Sequence, residues 1–251
     1  MPKRSAQPKQ CKIGQEILNP FKKFFLTRFR FFMKTKTLGL IHTSATLVPV
    51  FGQLCSQKLP GVQVFNIADD SLVKGIMAAG KLTSTISRRV ASYLESAELA
   101  GADYIMVTCS SIGPAVEAGA LLAGVPVLRV DQPMADRAVM LGEKVGVVAT
   151  LRTTLDPTAD LIQRRAAMKG RTVKLEARLV DGAFEALMGG QAARHDELVA
   201  AALKDLSAQV DVVVLAQASM ARVLESIPEH ERKAPVLSSP GLAVDYLATV
   251  L

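Results

Sequence analysis

Cys109, Ser110 and Ser111 follow directly on the short apolar run Tyr104-Ile-Met-Val107 and the single residue Thr108, so a thiol and two hydroxyls are delivered together at one strand end. The four β-favouring residues suit a strand buried on both faces, and Ser110 or Ser111 can cap a helix whose first turn accommodates Pro114. A thiol so placed sits at the carboxyl tip of the strand, where open α/β sheets bind ligands. The positive end of the following helix favours its thiolate, the form that acts as base or nucleophile. Neighbouring N–H and O–H groups can cradle a carboxylate, or charge that develops during a reaction. The plainer reading makes Cys109 a small buried hydrophobe and the hydroxyls helix caps.

Other polar residues end other strands. His42 and Thr43 close the first one, where His42 either pairs with Cys109 as an acid/base couple or is a hydrogen-bonded structural residue. Asp70 and Asp131 follow the second and fourth strands as proton carriers or helix caps. His195 and His230, beside Asp196, Glu229 and Glu231, are expected at the surface. The three histidines are too dispersed for a metal cluster. The first strand is followed by no G-x-G-x-x-G, no Walker-type loop is present, and no lysine is placed for a Schiff base. No metal and no cofactor are expected.

These groups have to be held by an alternation of strand-like and helix-like segments. Strands are expected at 37–43, 61–68, 103–108, 125–130, 144–150, 171–180, 211–216 and 234–237, with helical pattern between them. The clearest helix runs from Thr83 to Ala100, where Ile86, Val90, Tyr93, Leu94 and Ala97 share one face. Continuous βα alternation specifies an α/β fold with mostly parallel strands flanked by helices.

The chain also repeats itself. Asp103-Tyr-Ile-Met-Val-Thr-Cys-Ser-Ser-Ile112 lies opposite Asp211-Val-Val-Val-Leu-Ala-Gln-Ala-Ser-Met220 at an offset of 108. Gly39-Leu-Ile-His-Thr43 matches Gly146-Val-Val-Ala-Thr150 at 107, Pro49 matches Pro157 at 108, and Pro126-Val-Leu matches Pro235-Val-Leu at 109. Four matches in one order imply two similar domains related by pseudo-twofold symmetry, with strand tips facing across an inter-domain cleft. Cys109 then stands on one wall and Gln217 on the other. The expected division is a basic extension over 1–35, a first domain of 36–131 plus 236–251, and a second domain of 132–235.

Over residues 36–251 the chain resembles the aspartate/glutamate racemase superfamily, with its hydantoin racemase, maleate isomerase and arylmalonate decarboxylase relatives. The residues that carry the resemblance are Leu38-Gly-Leu-Ile-His-Thr43, Val107-Thr-Cys-Ser-Ser111 and Leu215-Ala-Gln-Ala-Ser-Met220. Racemases of that family carry a cysteine at both of the last two positions and need no cofactor; here Cys109 is retained and Gln217 replaces the second thiol. The resemblance implies that Thr43, Ser110, Ser111, Thr150 and Ser219 bind a substrate carboxylate and stabilise an enediolate. Gln217 is either a spacer or an amide that hydrogen-bonds the substrate. Since Gln has no titratable proton, inversion at a stereocentre would require His42, Asp70 or a water on the second face. The implied activity is cofactor-independent proton transfer next to the carboxylate of an amino acid or small organic acid. The alternatives are a cysteine-dependent decarboxylase, a covalent-intermediate isomerase or lyase, and a non-catalytic binding protein for small carboxylates.

The net charge of +7 does not argue for nucleic acid. Residues 1–36 hold ten Lys/Arg and one Glu, a net of +9, whereas the remaining 215 hold twenty Lys/Arg and twenty-two Asp/Glu, a net of −2. The extension, with Phe21-Lys-Lys-Phe-Phe-Leu-Thr-Arg-Phe-Arg-Phe-Phe32, reads as an unstructured or spurious addition before Met33, a basic Phe-rich membrane-surface anchor, or a targeting peptide. No apolar run approaches the ~20 residues of a membrane span, so stable insertion is not expected. Cys11, Cys55 and Cys109 offer no paired framework, which points to a reducing, cytoplasmic setting. A homo-oligomer is left open.

Overall fold

Parallel strands can be joined only by crossovers, and the amphipathic stretches between the β-branched runs supply them. The computed structural model describes residues 35–251, so the readings of the basic extension fall outside the described residues. The first sheet holds β1 (Thr37–His42), β2 (Gln63–Ala68), β3 (Tyr104–Val107) and β4 (Val127–Arg129) in the order β2-β1-β3-β4. The second holds β5 (Lys144–Ala149), β6 (Lys174–Leu179), β7 (Val212–Leu215) and β8 (Val236–Ser238) in the order β6-β5-β7-β8. Every pairing is parallel. The two sheets share one topology, as the offset of 107–109 residues requires.

The helices are α1 (Leu47–Lys58), α2 (Asp70–Ala79), α3 (Ser84–Leu99), α4 (Gly113–Ala120), α5 (Gln132–Leu141), α6 (Arg152–Met168), α7 (Ala183–Met188), α8 (Ala192–Ser207), α9 (Ala221–Ser226) and α10 (Ser239–Val250). Their starts follow local chemistry. Asp69 caps α2 by accepting from the Ser71 N–H at 3.0 Å, and the Thr83 hydroxyl caps α3 by accepting from the Ile86 N–H at 3.3 Å.

Alternation along the central strands builds a core on each sheet face. Leu38, Leu40 and Met106 pack with Phe51 and Cys55 of α1, while Ile41, Ile105 and Val107 pack with Val90 and Leu94 of α3 and Val116 of α4. In the second sheet Val145, Val147, Val212 and Val214 face α5 and α6, and Val148, Val213 and Leu215 face α8. Gly39 and Gly146, at equivalent points of β1 and β5, are both closely packed by neighbouring side chains. A Cβ at Gly146 would meet Leu206 Cδ2 of α8 at 2.7 Å, and one at Gly39 would meet Phe65 Cζ of β2 at 3.0 Å and Ala97 Cβ of α3 at 3.4 Å.

The last crossing between the lobes differs from the division expected at residue 236. Val236–Ser238 pairs with β7 in the second sheet. The chain returns only at Ser239, where α10 places Ala243, Val244 and Leu247 in the first core, beside α1. A three-residue strand has too little periodicity to declare its sheet. Because α10 packs on both α1 and α5, the lobes belong to one unit spanning 36–251. Among the described residues no helix is long and apolar enough to cross a membrane.

Candidate active site

In the order β2-β1-β3-β4 the chain winds outward in opposite directions from β1 and β3. In open α/β sheets such a switch point, beyond the carboxyl ends of the two strands, is where ligands bind. Ile41 is level with Val107, so the residues that follow, Thr43 and Cys109, leave the sheet side by side. In the second sheet Val148 is level with Leu215, which brings Thr150 beside Gln217 in the same way. The sequence-predicted groups thus lie at the two switch points of the fold.

Cys109 is extended, at φ −134° and ψ 119°, and half-buried. It leads into a single 3₁₀ turn, Ser110–Ile112, before α4 begins at Gly113 with Pro114 in its first turn. The expectation that Ser110 or Ser111 caps this helix is not met. The residue before α4 is Ile112, no side chain caps the helix, and both serines are buried within the preceding turn. Cys55, the other described cysteine, lies inside the first core, where desolvation pushes its thiol up to about 11. The two thiols therefore differ in access.

His42 is fully buried and tied to groups other than Cys109. Its Nδ1 lies 2.8 Å from the Thr108 hydroxyl and its Nε2 lies 2.9 Å from Asn66 Oδ1 on β2. The Thr108 hydroxyl also donates to the Ile41 carbonyl at 3.2 Å, so His42, Thr108 and the β1 backbone share one network. Burial lowers the His42 pKa, against the opposing hydrogen bond to Asn66. The imidazole joins three strand ends and holds the residue just before Cys109.

The second wall is bonded to itself and to the first. Gln217 Oε1 accepts from the Thr150 N–H at 2.6 Å and from the Thr150 hydroxyl at 3.0 Å. In the first turn of α6, the Thr154 hydroxyl meets the Ser111 hydroxyl at 2.7 Å, and both side chains are buried. This bond joins the strand tip of one lobe to that of the other. Thr43 and Thr150 are buried, while Ser219 is exposed.

Charged groups brace the same region. Arg129, at the end of β4, donates to both oxygens of Asp131 at 3.0 and 2.7 Å and to Glu117 of α4 at 2.8 Å. Glu117 also accepts from Arg164 of α6, giving a second link between the lobes. The guanidinium lies directly against Gly113, whose missing Cβ would come 2.2 Å from Arg129 Cζ. Asp131 is thus an ion-pair partner rather than a helix cap. Asp70 likewise does not cap α2; it accepts from the Ala45 N–H at 2.8 Å, and Asp69 does the capping.

His230 is exposed, as expected, but His195 is fully buried. Its spacing with Val199, Leu203 and Leu206 puts it on the apolar face of α8, a stripe that the acidic neighbours obscure in the sequence. Its Nδ1 contacts Asp196 Oδ1 at 2.6 Å, and Asp196 also accepts from Arg222. Among the described residues no three His, Cys, Asp or Glu side chains are grouped to hold a metal ion. A recess of about 640 Å³ lined by Glu143, Lys144, Gly170, Arg171, Thr172 and Lys174 lies at the opposite, amino-terminal ends of β5 and β6. It therefore has no part in the arrangement around Cys109.

Sequence reasoning missed Thr154 and Arg129. Thr154 is 43 residues from its partner and Arg129 reads as an ordinary strand end. For Thr154 a signal existed in its position four residues after Thr150, one turn into the helix that follows a predicted site residue.

The family model described as Asp/Glu/Hydantoin racemase matches residues 37–247. Among solved structures, a candidate Asp/Glu racemase from Yersinia pestis superposes with a TM-score of 0.68 at 18% identity, covering 86% of this chain and 98% of its own. Allantoin racemase from Klebsiella pneumoniae gives 0.64 at 16% identity, over 86% of this chain and 87% of its own. A glutamate racemase from Bacillus anthracis gives 0.64 at 19%, over 87% and 82%. Likeness at these identities is one of fold. No curated protein sequence matches this chain.

Proposed function

This chain belongs to the Asp/Glu/hydantoin racemase family, and on that premise we propose that it is a cofactor-independent enzyme in which Cys109 moves a proton at the carbon next to a carboxylate. The substrate class is an amino acid or small organic acid. The observation that carries this reading is the position of Cys109: a half-buried thiol at the switch point of the first sheet, heading a turn that holds two buried hydroxyls.

The Cys109 thiolate takes the proton, and the C–H electron pair passes into the carboxylate to give an enediolate. Hydroxyl and N–H donors of Thr43, Ser110 and Ser111 receive the charge that builds on its oxygens, with Ser219 at the exposed rim, while both donors of Thr150 are taken by Gln217. Return of the proton from the thiol to the same carbon completes the cycle. Gln217, its carbonyl held by Thr150, keeps two N–H donors for the substrate and has no proton to exchange. His42 acts here through Thr108 as a brace, since both ring nitrogens are engaged.

With a thiol on one face only, the expected outcome is proton exchange with retention, unless water serves the other face. Decarboxylation is the second reading, and Gln217 is what favours it. Loss of carbon dioxide from a malonate-type acid leaves a carbanion that needs one proton donor, and Cys109–SH can be that donor. The test is incubation in deuterated water with both enantiomers of aspartate and glutamate and with 2-substituted malonates. The reading predicts α-deuteration or decarboxylation of at least one acid; complete inertness toward the panel would count against it.

A further inference from the structure

We propose that Thr154, on the second lobe, is a positioning residue for the Cys109 turn of the first. This rests on the proton-transfer reading of the site. The Thr154 and Ser111 hydroxyls are 2.7 Å apart, and their residues are only 4% and 6% exposed. Ser111 is two residues from Cys109, inside a 3₁₀ turn of three residues that has little freedom to adjust. Thr154 is four residues from Thr150, which holds Gln217.

A connected path therefore runs between the two strand tips: Gln217 to Thr150 by hydrogen bond, Thr150 to Thr154 through the residues that open α6, Thr154 to Ser111 by hydrogen bond, and Ser111 to Cys109 through two peptide links. The reacting thiol and the amide on the other wall are thereby linked through the Thr154 hydroxyl. Neither lobe makes that link alone, because each hydroxyl belongs to a different sheet's strand tip.

The same helix provides an internal control. Thr158 lies one turn after Thr154, is fully buried, and its hydroxyl has no hydrogen-bond partner among the described residues. Pro157 lies between them, so the helix lacks one N–H of its ladder beside the Ser111 contact. Of two buried threonines on one helix, only Thr154 is bonded to the turn that carries the thiol.

The test compares Thr154→Val, Thr154→Ser and Thr158→Val in the full chain with two readouts. One is α-deuteration of the aspartate, glutamate and malonate panel; the other is the rate of Cys109 alkylation by iodoacetamide, read by peptide mass. Misplacement of a reacting group by about 1 Å can cost on the order of 100-fold in rate. The expected result for Thr154→Val is a fall in deuteration rate of about 10- to 100-fold and an altered Cys109 alkylation rate. Thr154→Ser keeps the hydroxyl and should restore both, and Thr158→Val should change neither. If Thr154→Val is insoluble, Thr154→Ala removes the hydroxyl without that variant's shape. Equal rates for wild type and the hydroxyl-free variant would overturn the proposal. Should wild type exchange no acid in the panel, the proton-transfer reading fails, and alkylation alone then decides whether Thr154 positions the thiol.

Discussion

Replacing Gly113 by Ala reverses the sign that helix propensity predicts. Gly113 has ordinary helical geometry, φ −49° and ψ −46°, so alanine fits the backbone and by propensity alone should stabilise α4 by about 1 kcal/mol. The added Cβ, however, would stand 2.2 Å from Arg129 Cζ, 2.3 Å from Nη2 and 2.6 Å from Nε. An exposed arginine would simply swing away. Here the guanidinium is 3% exposed and paired with Asp131, which is fully buried, so moving it separates a buried ion pair. Breaking such a pair costs about 3–5 kcal/mol, which leaves a net loss of about 2–4 kcal/mol. For a domain of this size that is a fall in Tm of roughly 5–15 °C. Chemical denaturation and thermal unfolding of Gly113→Ala measure it. A variant as stable as wild type, or more stable, would refute the packing argument.

Three further outcomes follow from buried groups. Thr158→Val removes a buried hydroxyl without a partner and should raise stability by about 1 kcal/mol, read as an upward shift in the denaturation midpoint. His42 is held neutral by burial, so its native pKa lies below the unfolded value of about 6.5. As pH falls through about 6.5 the unfolded chain takes up a proton before the native one does, and stability declines toward the lower native pKa. Comparing Tm at pH 7.5 and 5.5 should show a smaller drop in His42→Asn than in wild type. Iodoacetamide at pH 7.5 should modify Cys109 and spare Cys55, whose thiol is buried and pushed up to about 11, as peptide mass mapping would reveal.

Much of the fold is legible because it is written twice. Asp103 and Asp211 open equivalent strands, and their carboxylates accept from the Thr37 N–H in one lobe and from the Glu143 and Lys144 N–H groups in the other. Gly39 and Gly146 mark equivalent points of the two central strands where a side chain would be crowded. Local pattern and repeat together specify both sheets and the position of Cys109 at a strand tip. What local pattern cannot carry is pairing between distant side chains. His42 looks like a partner for Cys109 until Asn66 and Thr108 are seen to occupy both its nitrogens. Ser111 looks like a helix cap until the second lobe supplies Thr154, and Asp131 looks like a cap until Arg129 folds back onto it. His195 misleads for the opposite reason: its charged neighbours describe the exposed flank of α8, while its own spacing with Val199 and Leu203 describes the buried one.

The central claim is that Cys109 is the base. Its most direct measurement is deuterium incorporation at the α-carbon of a responsive acid in deuterated water, followed by NMR for wild type and for Cys109→Ala of matched Tm. Wild type should incorporate deuterium and Cys109→Ala none above background, whereas undiminished incorporation in the variant would remove Cys109 from that role.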